Sequence, residues 1–136
     1  MNQVENFKTT KNSLFSSYYE KYNDDVLDRL KVYFVSDDET HIDAFSINSN
    51  YIFCDISLVE KFKLSDMECY ACIAHEVGHY VSPSKDVLSD PTERELFADQ
   101  YVTDLGLGSL LISALTKMCP DDELTKLRIK KLNNAS

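Results

Sequence analysis

The sequence predicts an α+β protein in which a short β-sheet lies between helical segments. Two observations predict this class. Strand-like patterns are grouped between Lys31 and Ile56, and helical patterns occupy the chain on both sides of them. Strands and helices that are segregated along a chain, rather than alternating, are typical of α+β proteins. A length of 136 residues suits one hydrophobic core, so we expect a single domain over residues 1–136.

The first thirty residues predict one or two helices, because aromatic side chains such as Phe15, Tyr18 and Tyr22 recur there at helical spacing. The strand patterns follow. They are Lys31 to Val35 (KVYFV), a partly alternating segment from His41 to Ile47, and Tyr51 to Ile56 (YIFCDI). The turn sequence Asn48-Ser49-Asn50 separates the last two segments, which therefore predict a β-hairpin.

Start and stop signals divide the second half of the chain into helices. Ser65-Asp66-Met67-Glu68 is a capping box, so a helix is expected from Asp66 to Val81, before Pro83. Asp90 as N-cap and Pro91 at the first helical position predict another helix, which ends near Leu105 and Gly106. Two further helices are expected, from about Ser109 to Met118 and after Pro120.

The charge and apolar content of the chain limit the classes of molecule that we expect it to bind. The net charge of −9 and the pI of about 4.7 argue against a phosphate-binding face, so nucleic acid is not an expected partner. The basic residues Lys126, Arg128, Lys130 and Lys131 predict the solvated end of a C-terminal helix. The N-terminus has no apolar core and no apolar stretch is long enough to cross a bilayer, so we expect a cytoplasmic protein without membrane insertion. Its four cysteines are interpreted as small buried residues.

One motif carries chemistry. Residues 75–79, HEVGH, form an H-E-x-x-H pattern inside the helix predicted from Asp66. Residues four apart point to one side of a helix, so His75 and His79 can reach a single ion. Glu76 lies about 100° further around the helix and can address a water on that ion without being a ligand. The pattern is typical of a hydrolytic zinc site, and Gly78 indicates close approach by another element. The alternative is an ordinary helix with two surface histidines.

A catalytic zinc site usually has three protein ligands, and the third must come from elsewhere in the chain. The candidates are His41, the cysteines and downstream carboxylates, and His41 is interpreted as an exposed turn residue. Glu95 and Asp99 are four apart on a face that is otherwise small and apolar, where a carboxylate pair needs a partner. We therefore predict Glu95 as the ligand and Asp99 as a hydrogen-bond partner of a ligand imidazole. The alternative is a capping box from Thr92 to Glu95, which would make Glu95 structural.

At these residues the chain resembles a known family. HEVGH followed by ELFAD is similar to the HExxH and ExxxD signature of gluzincin peptidases, which include the heat-shock protease HtpX, the CAAX prenyl proteases and the soluble minigluzincins. The resemblance covers roughly residues 25–132. It implies a zincin-like fold with a small antiparallel or mixed sheet around an active-site helix. It also implies Zn²⁺ at His75, His79 and Glu95, with Glu76 as base and Asp99 in support. ImmA/IrrE-like regulatory proteases are a second, similar group.

The expected activity is hydrolysis of peptide bonds by a zinc-activated water, with Glu76 accepting the proton. A peptide or protein substrate would pair with a sheet edge near Ala44 and Phe45. For the oxyanion, Tyr80, Tyr101 and Arg128 are the candidates. Three interpretations stay open: an active endopeptidase, a latent peptidase blocked by its own terminal segment, and a catalytically silent zinc-binding interaction module. Glu76 argues against the third, because a purely structural site has no use for a base beside the metal.

Overall fold

Three strands and five helices make up the part of the chain that the computed structural model describes, namely residues 31–35, 44–48, 51–83, 87 and 89–135. The chain divides into two units, residues 1–66 and 67–136, and each is described by itself. The helices predicted in the first thirty residues, and His41, lie outside the described residues. The α+β class is confirmed. That the whole chain forms one domain stays a prediction.

The first unit contains a three-stranded mixed sheet of strands β1 (Lys31–Val35), β2 (Phe45–Asn48) and β3 (Tyr51–Asp55), in the order β1-β3-β2. β2 and β3 pair antiparallel, as the predicted hairpin requires, and β1 pairs with β3 in parallel. Since β3 is central, β2 lies at an edge of the sheet as far as the described residues show it. The substrate-binding role expected of that edge stays a prediction.

β3 ends at Asp55, one residue earlier than the sequence pattern predicts, because Asp55 begins the next helix. Its Oδ1 accepts hydrogen bonds from the backbone N–H groups of Ser57, at 2.9 Å, and Leu58, at 3.3 Å. This N-cap starts helix α1 (Ile56–Lys61). The side chains of Ile52 and Ile56 are fully buried and form part of the core of this unit.

Four helices make up the described part of the second unit, the first of which begins at the boundary: α2 (Asp66–Val81), α3 (Pro91–Asp104), α4 (Gly108–Met118) and α5 (Glu123–Ala135). The predicted bounds of α2 are confirmed at both ends, and those of α3 and α4 to within one residue. α3, α4 and α5 pack against one another. No helix in the described part of the chain is long and apolar enough to cross a membrane.

The ends of α3 have the caps that the sequence predicts. At its start, the Asp90 side chain accepts from the Thr92 N–H at 2.9 Å. At its end, Gly106 adopts a left-handed conformation with φ +82°. The N–H groups of Gly106 and Leu107 then bond back to the last-turn carbonyls, in the arrangement of a Schellman motif. This turn leads the chain directly into α4.

Helices α2 and α3 meet at Gly78, in the middle of the HEVGH motif. A Cβ atom at Gly78 would lie 2.9 Å from the Cα of Ala98 and 3.1 Å from the Cβ of Tyr101. Contacts of this length between carbon atoms are repulsive, since their optimal separation is about 3.5–4.0 Å. The absence of a side chain at Gly78 therefore permits the backbones of the two helices to approach closely, as the sequence predicts.

A buried carboxylate joins α2 to α4. Glu68 is 3% exposed, and its carboxylate accepts hydrogen bonds from Ser113 Oγ at 2.5 Å and from Lys117 Nζ at 2.7 Å. The capping box predicts a local partner for Glu68 at the start of its own helix. The tertiary partners on α4 are not part of that prediction.

The cysteine prediction is wrong at one position. Cys54, Cys69 and Cys72 are buried, whereas Cys119 is exposed, and none of the four forms a disulfide. Cys119 is exposed because it stands at the C-cap of α4, where the chain leaves the helix.

Candidate metal centre

The two histidines of HEVGH lie side by side on α2. One helical turn separates His75 from His79, their ring centroids are 4.6 Å apart, and the rings are nearly perpendicular at 88°. The side chain of His75 is 9% exposed and that of His79 is 20% exposed. Glu76, on the same helix, is 8% exposed. The helix thus presents two imidazoles to one partly buried location.

Glu95 reaches this location from α3. Its Oε2 lies 3.0 Å from His75 Nε2, and its Oε1 lies 3.2 Å from His79 Nε2. The alternative capping-box role for Glu95 does not fit, because the Asp90 side chain already caps the helix and the Glu95 carboxylate lies against the imidazoles. The structure therefore brings together the three side chains that the sequence singled out.

These three residues have the donor set and spacing of a zinc site. One ligand atom from each of His75, His79 and Glu95 lies within 4.8 Å of the others, and no further group of this kind occurs within the described ranges. Two donors at about 2.05 Å from a tetrahedral ion are about 3.3 Å apart. The observed separations of 3.0 and 3.2 Å are close to that value. The residues present therefore fit Zn²⁺, although their assignment as ligands stays a prediction.

Asp99 fixes the orientation of the first imidazole. Its Oδ1 lies 2.9 Å from His75 Nδ1, and its side chain is 4% exposed. A carboxylate at this distance accepts a hydrogen bond from the Nδ1–H group, so that in the neutral ring the lone pair is on Nε2, where a cation can bind. The structure thus places Asp99 where the sequence predicts a supporting hydrogen bond.

Arg128 corrects one prediction. The basic run on α5 is expected to be solvated, but the Arg128 side chain is only 11% exposed. Its Nε donates to Asp99 Oδ2 at 2.8 Å, and its Nη2 donates to Asp99 Oδ1 at 2.9 Å. Its Nη1 lies 3.5 Å from Glu95 Oε2. Arg128 therefore belongs to the centre, since packing of α5 against α3 buries it there.

The charges in this cluster perturb one another. Burial lowers the pKa of His75, but hydrogen bonds to Asp99 and Glu95 outweigh it and raise the pKa to about 9. Burial raises the pKa of Glu95, but its contacts with His75 and His79 hold the value far below the ordinary one. Burial also raises the pKa of Asp99, but the contacts with His75 and Arg128 outweigh it and lower the pKa below its ordinary value. Both carboxylates are therefore ionised at neutral pH.

Comparison with known proteins gives one match. Residues 25–90 match the model of Peptidase family M48. This segment is a little under half of the chain and includes His75, Glu76 and His79, but it ends before Glu95, Asp99 and Arg128. Neither a curated protein nor a solved structure matches the chain. The match over the HEVGH helix indicates similarity to a family of metallopeptidases.

Proposed function

We propose that the protein is a zinc-dependent metallopeptidase, with His75, His79 and Glu95 as ligands and Glu76 as general base. One observation carries the proposal. Two helices bring two imidazole nitrogens and one carboxylate oxygen within 4.8 Å of one another. Two histidines and one glutamate are a recurring ligand set of catalytic zinc, and this set leaves a coordination position for water or substrate. The similarity of residues 25–90 to a metallopeptidase family supports the same activity.

The residues around the ligands have distinct roles in this proposal. When bound, zinc supplies Lewis-acid polarisation of an oxygen that occupies the remaining position. Glu76 follows His75 directly in sequence, is 8% exposed, and is near enough for its charge to act on the imidazole. Its carboxylate accepts the proton of the attacking water and returns it to the amine that leaves. Asp99 holds the Nδ1 proton of His75 and keeps Nε2 available.

Metal analysis tests the ligand set. Wild-type protein should contain one zinc ion per chain, and Glu95→Ala should lose stoichiometric zinc because only two imidazoles remain. Glu93→Ala is the matched control, since Glu93 is an exposed carboxylate on the same helix. Retention of stoichiometric zinc by Glu95→Ala would contradict the ligand assignment.

Peptide cleavage tests the base. Glu76→Gln should retain zinc and lose turnover, because an amide cannot accept the proton. Casein and peptide libraries would be assayed with full-length protein and with N- and C-terminal truncations, so that a latent enzyme is also detected. A zinc-loaded wild-type protein that cuts nothing in any of these forms would favour the silent binding module.

A further inference from the structure

Arg128 makes more contacts in the candidate metal centre than its position on the C-terminal helix predicts. It forms a two-pronged contact with Asp99, with N–O distances of 2.8 and 2.9 Å, and its side chain is 11% exposed. We propose that Arg128 is a positioning residue for the metal centre, which acts by holding the Asp99 carboxylate in the orientation that directs His75 Nε2 towards the cation. This inference rests on the proposed function, because it concerns the strength of zinc binding.

The hydrogen-bond geometry explains how Arg128 acts. Asp99 Oδ2 accepts from Arg128 Nε, whereas Asp99 Oδ1 accepts from Arg128 Nη2 and lies 2.9 Å from His75 Nδ1. Both oxygens are therefore engaged, and the carboxylate plane is fixed. A guanidinium presents its donors in a rigid planar fork that matches a carboxylate, whereas an ammonium group is a point charge on a flexible stem. The orientation of Asp99 thus depends on the shape of the arginine as well as on its charge.

Arg128 also lies close enough to His75 for a second hydrogen-bond arrangement, in which His75 Nδ1 is the acceptor. Its Nη2 is 3.5 Å from His75 Nδ1, a distance at which its N–H group can donate a weak hydrogen bond to that nitrogen. A neutral His75 that accepts at Nδ1 carries its proton on Nε2 and cannot bind a cation there. Arg128 Nη2 instead donates to Asp99 Oδ1 at 2.9 Å, which favours the arrangement in which His75 carries its proton on Nδ1. Arg128 and Asp99 together therefore select the tautomer that leaves Nε2 available.

Arg128 is poorly suited to direct contact with a substrate. Its Nε and Nη2 groups serve Asp99, and its Nη1 lies 3.5 Å from Glu95 Oε2. Its guanidinium thus faces the two carboxylates of the centre. The role of oxyanion partner, for which the sequence makes Arg128 a candidate, is therefore less consistent with its contacts than the role of positioning residue.

The test is the zinc affinity of Arg128→Lys, which preserves the charge and removes the fork. We expect zinc to bind about 10-fold more weakly, at the lower end of the range of about 10- to 100-fold for loss of an outer partner of a ligand histidine, because Asp99 itself remains. Affinity would be measured by chelator competition at a temperature where each metal-free variant is folded by circular dichroism. Lys126→Arg, the reverse exchange at an exposed position of the same helix, is the control and should not change affinity.

A double-mutant cycle tests the route through Asp99. In an Asp99→Asn background, Arg128→Lys should cause little further loss of zinc affinity, because the carboxylate that it positions is absent. Wild-type affinity in Arg128→Lys, or an equal loss in the Asp99→Asn background, would overturn the inference. If wild-type protein binds no zinc, the proposed function fails as well, whereas a zinc-binding wild type with an unaffected Arg128→Lys refutes this inference alone.

If Arg128→Lys does not fold, a measurement on the wild-type protein tests the proposed role of Arg128. The Nε–H proton of Arg128 should exchange with water more slowly than that of Arg94 in NMR spectra of the zinc-loaded protein, because Asp99 holds it in a buried hydrogen bond. Equal exchange rates at the two arginines would show that the fork does not persist in the loaded protein, and the inference would be refuted.

Discussion

Replacement of Gly78 by alanine should separate the two helices that carry the metal ligands. The new Cβ would lie 2.9 Å from the Cα of Ala98 and 3.0 Å from its carbonyl oxygen. Both contacts are with backbone, so a side-chain rotation cannot relieve them. Restoring an ordinary carbon–carbon distance requires the helices to move apart by about 0.6 Å. His75 and His79 lie on one helix and Glu95 on the other, so their donor separations would widen by a similar amount.

The expected magnitudes follow from two opposing effects on stability. Overpacking a tight contact costs about 1–3 kcal/mol, and alanine in place of a mid-helix glycine returns about 1 kcal/mol. The metal-free Gly78→Ala protein should therefore lose about 0–2 kcal/mol in its free energy of unfolding. Zinc affinity should fall at least about tenfold, because ligand distances in metal sites are tolerated only within about 0.2 Å. Urea denaturation and chelator competition measure the two quantities.

Gly108→Ala is the matched control for this experiment. Gly108, the first residue of α4, is also a buried glycine, but its added Cβ would meet Thr103 Oγ1 at 3.5 Å, which is an ordinary contact. This variant should retain zinc affinity, with stability unchanged or raised by up to about 1 kcal/mol. If Gly78→Ala behaves like Gly108→Ala in both assays, the close approach of α2 and α3 does not set the ligand spacing.

Three further predictions concern charge and metal. Glu68→Gln should lower the free energy of unfolding by about 1–3 kcal/mol, because the charged contact with Lys117 is lost, whereas Glu123→Gln, in an exposed ion pair, should change it by less than about 1 kcal/mol. Since the pKa of metal-free His75 is raised to about 9, zinc must displace its proton at pH 7.5. Calorimetry in buffers of different ionisation enthalpy should show release of about one proton, and no buffer dependence would contradict the raised pKa. Zinc at about 100 times its Kd should stabilise wild-type protein by about 2.7 kcal/mol in thermal unfolding, and Glu95→Ala should not respond.

Local signals account for the parts of the fold that the sequence predicts well. α2 begins after Ser65 and ends two residues before Pro83, so its bounds agree with those predicted from the capping-box pattern and the helix breaker. The carboxylates of α3 are predictable because Glu95 and Asp99 are one helical turn apart on an apolar face. In each case the determining residues lie within a few positions of the feature that they specify.

Long-range packing accounts for what the sequence does not reveal. Arg128 is buried, yet its neighbours in sequence are basic as well, and no local pattern separates it from the exposed Lys126. Its environment is set by Asp99, 29 positions away on another helix. The partners of Glu68 on α4 are 45 and 49 positions away. Such pairs depend on how helices pack, which the spacing of residues along one helix does not specify.

The turn at Gly106 has a kinetic consequence. It joins α3 to α4 through a short turn, and α5 follows after a similarly short connection, so helices adjacent in sequence pack together in residues 91–135. The parallel pairing of β1 with β3 instead joins residues 20 positions apart, such as Lys31 and Tyr51. Chains rich in contacts between near neighbours cross their folding barrier faster than chains that must first close long loops. In time-resolved hydrogen exchange, the amides of α3 and α4, which are joined by the short turn, should therefore acquire protection before those of β1.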